Sequence, residues 1–207
     1  MSSDKSDHDP LAAGYHALAP GDVANVVTYL EMTERPKPRP MPIADAGFQL
    51  VPLRGNALAD YRKLFSAVGE DWLWTSRVVM PDDALRADLD RADFESYALL
   101  TRGIAIGLID LDFGAGDECE LKSFGLVAAA IGQGAGRYLM TQAIARAFAK
   151  PIKRFWLHTC TFDSPQALGF YKRSGFRPFK FAVEVMRDPR LDATLPRTSA
   201  PHIPLID

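Results

Sequence analysis

The sequence predicts an α/β fold: a mixed, mostly antiparallel central sheet flanked by helices on both faces. Three observations predict it. The stretch ELKSFGLVAAAIGQGAGRYLMTQAIARAF, Glu120 to Phe148, reads as a strand, a glycine-rich turn and a helix. Two apolar runs before it join its own strand through short turns, which makes the three antiparallel neighbours in a meander. After it, the helix carries the chain over the sheet to a further strand, and such a crossover permits parallel pairing.

Length and composition agree with one domain. A chain of 207 residues suits a single well-cored domain better than two very small ones. With 47% hydrophobic and 24% charged residues it has the balance of an ordinary globular protein. The net charge of -2 gives no basic excess to advertise a nucleic-acid partner. Cys119 and Cys160 fall in separate strands without CxxC spacing, so neither a disulfide scaffold nor a zinc site is expected. His8, His16, His158 and His202 have no metal-ligand spacing, and no metal is required. The polar start MSSDKSDHDP is no signal peptide, and no apolar run spans a membrane, so a cytoplasmic setting with no membrane partner is the expectation.

Taken in order, residues 1 to 13 are polar and expected to fray. The β-branched run from Val23 to Tyr29 reads as a strand that pairs with something later. Pro36, Pro38, Pro40 and Pro42 then favour an extended connector, because each ring fixes its own φ and biases the residue before it. A spacer and a proline-motif ligand are the two readings of it. The expected division is 1–43 as N-terminal tail, extra strand and connector, 44–187 as the main domain, and 188–207 as an irregular tail.

Phe48 to Leu53 reads as the first core strand. Asn56 is placed to cap a helix from Ala57 to about Val68, whose Leu58, Tyr61, Leu64, Phe65 and Val68 form one apolar stripe. Pro81 opens a second helix with Asp82 and Asp83 in its first turn. Strands follow at Phe94–Leu100 and Ile104–Phe113, joined at Arg102 and Gly103, then at Glu118–Leu126 after a turn at Gly114, Gly116 and Asp117. Beyond the glycine turn come a helix over Arg137–Ala149 and a strand over Lys153–Cys160. A last helix has Ser164 as cap, Pro165 at its first position and Gly175 as its left-handed stop, and a final strand covers Pro178–Met186.

Gly132, Gly134 and Gly136 alternate with Gln133 and Ala135, so backbone can approach a ligand unobstructed. The helix that follows presents free N–H groups and a positive dipole end, a combination that suits an anion. The stretch LVAAAIGQGAG is similar to the coenzyme-binding pattern of the GNAT superfamily of N-acetyltransferases, R/Q-x-x-G-x-G/A after an apolar residue. Gly134 and Gly136 take the glycine positions, and Ile131 stands where Arg or Gln is usual. SPQALGFYKRSGF resembles a second family segment, N-x-x-A-x-x-x-Y-x-x-x-G-F, with Ala167, Tyr171, Gly175 and Phe176 in register and Ser164 in place of Asn. The resemblance covers Phe48 to Met186. A dinucleotide site fits less well: GQGAGR is not G-x-G-x-x-G, and its strand closes a meander.

The resemblance implies a sheet splayed at the coenzyme site and transfer of acetyl from acetyl-coenzyme A to a primary amine, of a small molecule or peptide, by direct attack in a ternary complex. It implies that residues 132–137 (Gly132, Gln133, Gly134, Ala135, Gly136 and Arg137) cradle the pyrophosphate, that Ile131 adjoins the coenzyme without the side-chain contact of the usual Arg or Gln, and that backbone N–H at Leu126 and Val127 meets the thioester arm beside a bulge near Gly125. Ser164 bonds the pantetheine arm or caps its helix. Tyr171 is the implied general acid, with a packed hydroxyl as the other reading. Glu120 is the implied base, against a half-exposed strand in which Glu118, Glu120 and Lys122 simply alternate. Trp72, Trp74 and Arg77 wall the acceptor pocket or belong to the core, and His158 is read as structural. Two rival readings stand beside catalysis: a GNAT-like acyl-coenzyme A binding or sensor module without turnover, and a homodimer assembled through the N-terminal strand.

Overall fold

Valines and a tyrosine at alternating depth build the first strand, β1 (Asp22–Met32), which buries Val27, Leu30 and Met32. The computed structural model describes residues 10–37 and 47–206. The other elements are β2 (Phe48–Leu53), α1 (Leu58–Gly69), α2 (Asp82–Asp90), β3 (Phe94–Thr101), β4 (Ile104–Asp112), β5 (Glu118–Leu126), α3 (Ala135–Ala147), β6 (Arg154–Cys160), α4 (Ala167–Ser174) and β7 (Arg177–Arg187). The expected boundary at 43/44 and Pro38, Pro40 and Pro42 lie outside the described residues.

The described residues form one seven-stranded sheet of order β2-β3-β4-β5-β6-β1-β7. All neighbours are antiparallel except β5 and β6. The extra N-terminal strand is therefore internal: β1 separates β6 from β7 and pairs with both. The single parallel pairing is short, joining Glu118–Glu120 to Arg154–Trp156. Past Glu120 the two strands part.

Alternation along each strand assigns the two faces. Leu108 of β4 packs with Tyr61, Leu64, Phe65 and Val68 of α1 and with Leu85 and Leu89 of α2. Its neighbour Ile109 faces the opposite way, into a cluster with Leu139, Met140, Ala143 and Ala147 of α3 and with Phe155 and Leu157 of β6. A mixed sheet with helices on both faces is thus present as expected. Asp110 returns to the α1 face, where Tyr61 donates to its carboxylate at 2.7 Å, and burial pushes its carboxyl up.

Several local expectations are corrected. Asn56 caps nothing: it lies in a 3₁₀ turn, Gly55–Ala57, whose Gly55 N–H donates instead to Asp90 at the end of α2, 2.9 Å away. Ser164 stands ahead of α4, which begins at Ala167: its carbonyl accepts from Ala167 N–H at 2.8 Å and its hydroxyl from Gln166 N–H at 3.4 Å, so it caps the lead-in turn rather than the α-helix itself. The bulge of β5 falls at Lys122 rather than near Gly125, since Ser123 pairs with Asp110 and Leu121 with Leu111.

The C-terminal tail is irregular but packed. Leu195, Ala200 and Ile203 form a small core with Leu73 and Phe162. Arg190, 2% exposed, bonds the Asp188 carboxylate at 2.7 Å and the carbonyls of Ser199, Ala200 and Ile203. That ion pair holds the Asp188 carboxyl below the usual carboxylate range.

Candidate functional site

The splay between β5 and β6 opens a cleft at the end of β5. Val127 N–H donates to the Ile106 carbonyl at 3.0 Å, which keeps that group on the β4 side. Antiparallel alternation then turns the Leu126 N–H the other way, into the gap that β6 has left. Of the two backbone donors expected to meet the thioester arm, Leu126 is available and Val127 is already used.

Beyond Val127 the chain makes a 3₁₀ turn, Ala128–Ala130, and enters the glycine turn. Gly132 and Gly134 adopt φ of 82° and 83°, a left-handed backbone that a side chain would strain. Gly134 is also the N-cap of α3, so the first N–H groups of that helix face the turn. Gln133 folds back and donates to the Ala129 carbonyl at 2.7 Å, bracing the loop from outside. Ala135 is 1% exposed and anchors the loop to the core.

A cavity of about 440 Å³ lies along this edge, lined by Phe124, Gly125, Leu126, Ile131, Gly132, Gly134, Gly136, Arg137, Ser164 and Tyr171. Gly125 is required there, because a Cβ would lie 2.3 Å from Val68 Cγ1 of α1. Phe124 stacks on Phe170 with ring centres 5.6 Å apart and meets Tyr171 edge-on at 6.0 Å. Burial, with the charge of Asp163 adding to it, pushes the Tyr171 hydroxyl well above the ordinary phenol value.

A second, polar cavity of about 230 Å³ includes Asn25, Lys122, Ser123, His158, Asp163 and Glu184 in its lining. The two share one wall: Trp72, Trp74, Phe124, Asp163 and Tyr171. Trp74 and Trp72 thus stand at the junction. Gly69 lets Trp74 pack close, and His202 of the tail lies against Trp72 with ring centres 5.5 Å apart. Arg77 is elsewhere. It is 3% exposed, ion-paired to Asp88 and set 5.4 Å from the centre of the Phe94 ring, so it braces α2 against β3 and reaches neither cavity.

Glu120 is also off the cleft. The turn of β5 at Lys122 directs it to Lys122 Nζ, 3.1 Å away, and His158 Nδ1 lies 3.7 Å from its other oxygen. Its route to the polar cavity runs through those two neighbours. The carboxylate at the junction is one that the sequence reading missed, Asp163. It accepts from Trp74 Nε1 at 3.2 Å, Thr159 Oγ1 at 2.7 Å and Cys160 N–H at 2.9 Å. The sequence signal for it is a turn-forming Asp three residues past the end of a strand and just before Ser164-Pro165.

Among the described residues no group of three or more His, Cys, Asp or Glu is placed to hold a metal, and no helix is long and apolar enough to cross a membrane. Cys160, beside Asp163, is half-buried, and burial pushes its thiol up to about 11.

A splayed mixed sheet with a glycine turn and a helix N-terminus at its opening defines an α/β class of fold suited to seat an anionic ligand at the gap. The profile of the acetyltransferase (GNAT) family matches residues 62–176, more than half of the chain, and the chain belongs to that family. Acetyl-coenzyme A is the family's cosubstrate. No curated protein matches the sequence significantly. Solved structures share the fold. A functionally unknown conserved protein of Staphylococcus epidermidis is 14% identical with a TM-score of 0.57, over 81% of this chain and 63% of its own. An aminoglycoside acetyltransferase from an uncultured soil metagenomic sample, solved with trehalose, is 16% identical with a TM-score of 0.52, over 63% of this chain and 89% of its own. The PaiA N-acetyltransferase of Thermoplasma acidophilum, solved with coenzyme A, is 18% identical with a TM-score of 0.51, over the same two shares, 63% and 89%. At these identities the likeness is one of fold, and the chain spans less than two thirds of the Staphylococcus protein.

Proposed function

We propose that this protein transfers acetyl from acetyl-coenzyme A to a primary amine of a small molecule, by direct attack within a ternary complex. One observation carries the reading: a cavity along the glycine turn meets a polar cavity at a single wall that holds a carboxylate and a tyrosine. The first has the donors for a pyrophosphate and an apolar channel for a thioester arm. The second has room and polarity for an amine.

The coenzyme supplies an activated thioester, and the protein's residues do the rest. Glycine-turn N–H groups and Arg137 hold the diphosphate. The Leu126 N–H, facing the gap, donates to the thioester carbonyl and stabilises the negative charge that develops there. Asp163, oriented by three donors, draws the amine to the junction and accepts its proton; an alkylamine of pKa ~10.4 is otherwise mostly protonated at neutral pH. Glu120 acts behind His158 and Lys122, as a field on the polar cavity rather than by contact. Trp72 and Trp74 close the junction against water and offer ring faces to the ammonium.

Tyr171 is a standing donor. Its proton is held more tightly than that of a thiol, pKa ~8.5, so it stabilises the departing thiolate by a hydrogen bond rather than by full transfer. A thiol-release assay across a panel of amines tests the reading, run on the wild type, Asp163→Asn, Tyr171→Phe and Glu120→Gln. Turnover with at least one amine is expected. Tight coenzyme binding with no turnover on any amine would instead favour a binding or sensor module.

A further inference from the structure

A third cavity, of about 350 Å³, continues the line of the first two, sharing Arg137, Phe170 and Arg173 with the coenzyme cavity. Its outer wall comes from the N-terminal connector: Arg35, Pro36 and Lys37. Four cationic side chains therefore converge there, Arg35, Lys37, Arg137 and Arg173, and the lining contains no carboxylate. Among the described residues none of the four is ion-paired. Arg35 and Lys37 precede the family-matched segment, which begins at residue 62.

The connector is held where it is by packing. Met32, 4% exposed, ends β1 inside the sheet, so the chain leaves the core next to α4. Gly175, at φ 111°, stops α4, and a Cβ there would be 3.3 Å from Met32 Cε and 3.5 Å from Pro36 Cβ. The absence of a side chain at Gly175 lets the connector lie against the end of α4. Arg35 and Lys37 flank that contact and are exposed.

The order along the groove is thus polar cavity, apolar channel with glycine turn, then a cationic basin. We propose that the basin binds the 3′-phosphate of the coenzyme's ribose, with Arg35 and Lys37 of the N-terminal connector closing over it. The inference rests on the coenzyme reading above and adds a part of the chain outside the matched family segment. A phosphomonoester carries close to two negative charges at neutral pH and presents three acceptor oxygens. Guanidinium forks match such oxygens in pairs, and an ammonium adds a point charge. The diphosphate at the glycine turn needs only backbone N–H groups and Arg137, which leaves the far cations for a second phosphate. Because the basin is open to solvent, its selectivity is screened by salt.

Calorimetric titration of the full chain with coenzyme A and with 3′-dephospho-coenzyme A tests this. The wild type is expected to prefer coenzyme A by about tenfold at low salt, with the preference shrinking as salt rises. Arg35→Gln with Lys37→Gln is expected to reduce the ratio to about twofold while leaving the dephospho affinity and the melting temperature unchanged. Both side chains are exposed, so the fold does not depend on them. Equal affinities in the wild type overturn the inference while leaving the coenzyme reading intact. So does a double variant that keeps the tenfold ratio, or one that weakens both ligands equally. If neither ligand binds, the coenzyme reading falls, and this inference with it.

Discussion

Replacing Asp163 by Asn separates the catalytic duty proposed for the junction from its structural one. The carboxylate takes Thr159 Oγ1 and Cys160 N–H on one oxygen and Trp74 Nε1 on the other. Asparagine keeps the size and one acceptor oxygen. Its best orientation preserves the paired donors at 2.7 and 2.9 Å and sets its NH₂ against the indole N–H, two donors facing each other. Losing one bond and stranding that donor costs about 1–3 kcal/mol. At about 2–4 °C per kcal/mol for a domain of this size, the melting temperature falls by about 2–12 °C. The loss of a positioned base removes about 10²–10⁴ from kcat/KM for the amine, with coenzyme affinity nearly unchanged. The assays are thermal melting, coenzyme titration and initial rates of thiol release with the best amine of the panel. If Asp163→Asn keeps kcat/KM within a few-fold of wild type while Glu120→Gln loses about 10² or more, the placement of the base at the junction is refuted.

Gly69→Ala should disturb the same wall from behind: its Cβ would sit 2.5 Å from Trp74 Cβ, so about 1–3 kcal/mol of overpacking and a raised KM for the amine are expected from melting and kinetics. Gly134→Ala, at φ 83°, should cost about 1–2 kcal/mol and weaken coenzyme binding measured by calorimetry without changing which amines are used. Arg190→Met leaves the 1% exposed Asp188 unpaired and should destabilise by about 3–5 kcal/mol in denaturant melts. The pH dependence has a definite sign. Because Asp188 is depressed below 3.8 in the folded state, its stabilisation is fully present above that value and is lost as pH falls through the lowered one, so Asp188→Asn should flatten the acid limb of a melting profile taken from pH 7 down. Cys160, pushed up to about 11, should resist iodoacetamide at pH 8 on the timescale of a free thiol's alkylation, read by mass spectrometry.

Legibility followed the range of the interaction. The glycine turn was plain because its alternation, the strand before it and the helix after it are contiguous. The Gly175 stop was plain for the same reason, and it is left-handed at φ 111°. Caps were read less well: Asn56 and Ser164 have cap-forming side chains, yet the Gly55 N–H is taken by Asp90 of α2 and α4 starts three residues after Ser164. A residue's capacity to cap is local, and the contact that fixes the turn around it, here Asp90 of α2 on Gly55, is not. Arg77 shows the same limit, since its buried partner Asp88 and the Phe94 ring come from other elements.

By itself the sequence determined the class of fold, the strand-turn-helix unit around the glycine turn and membership of its family, because period, turn residues and motif spacing are properties of neighbours along the chain. The tertiary structure decided where β1 goes, between β6 and β7, and which carboxylate stands at the junction. Trp74 and Asp163 are 89 residues apart and meet only when the sheet has set its strand order. The same closure drew the N-terminal connector onto the end of α4, where no pattern of prolines or charges in its own segment could have placed it.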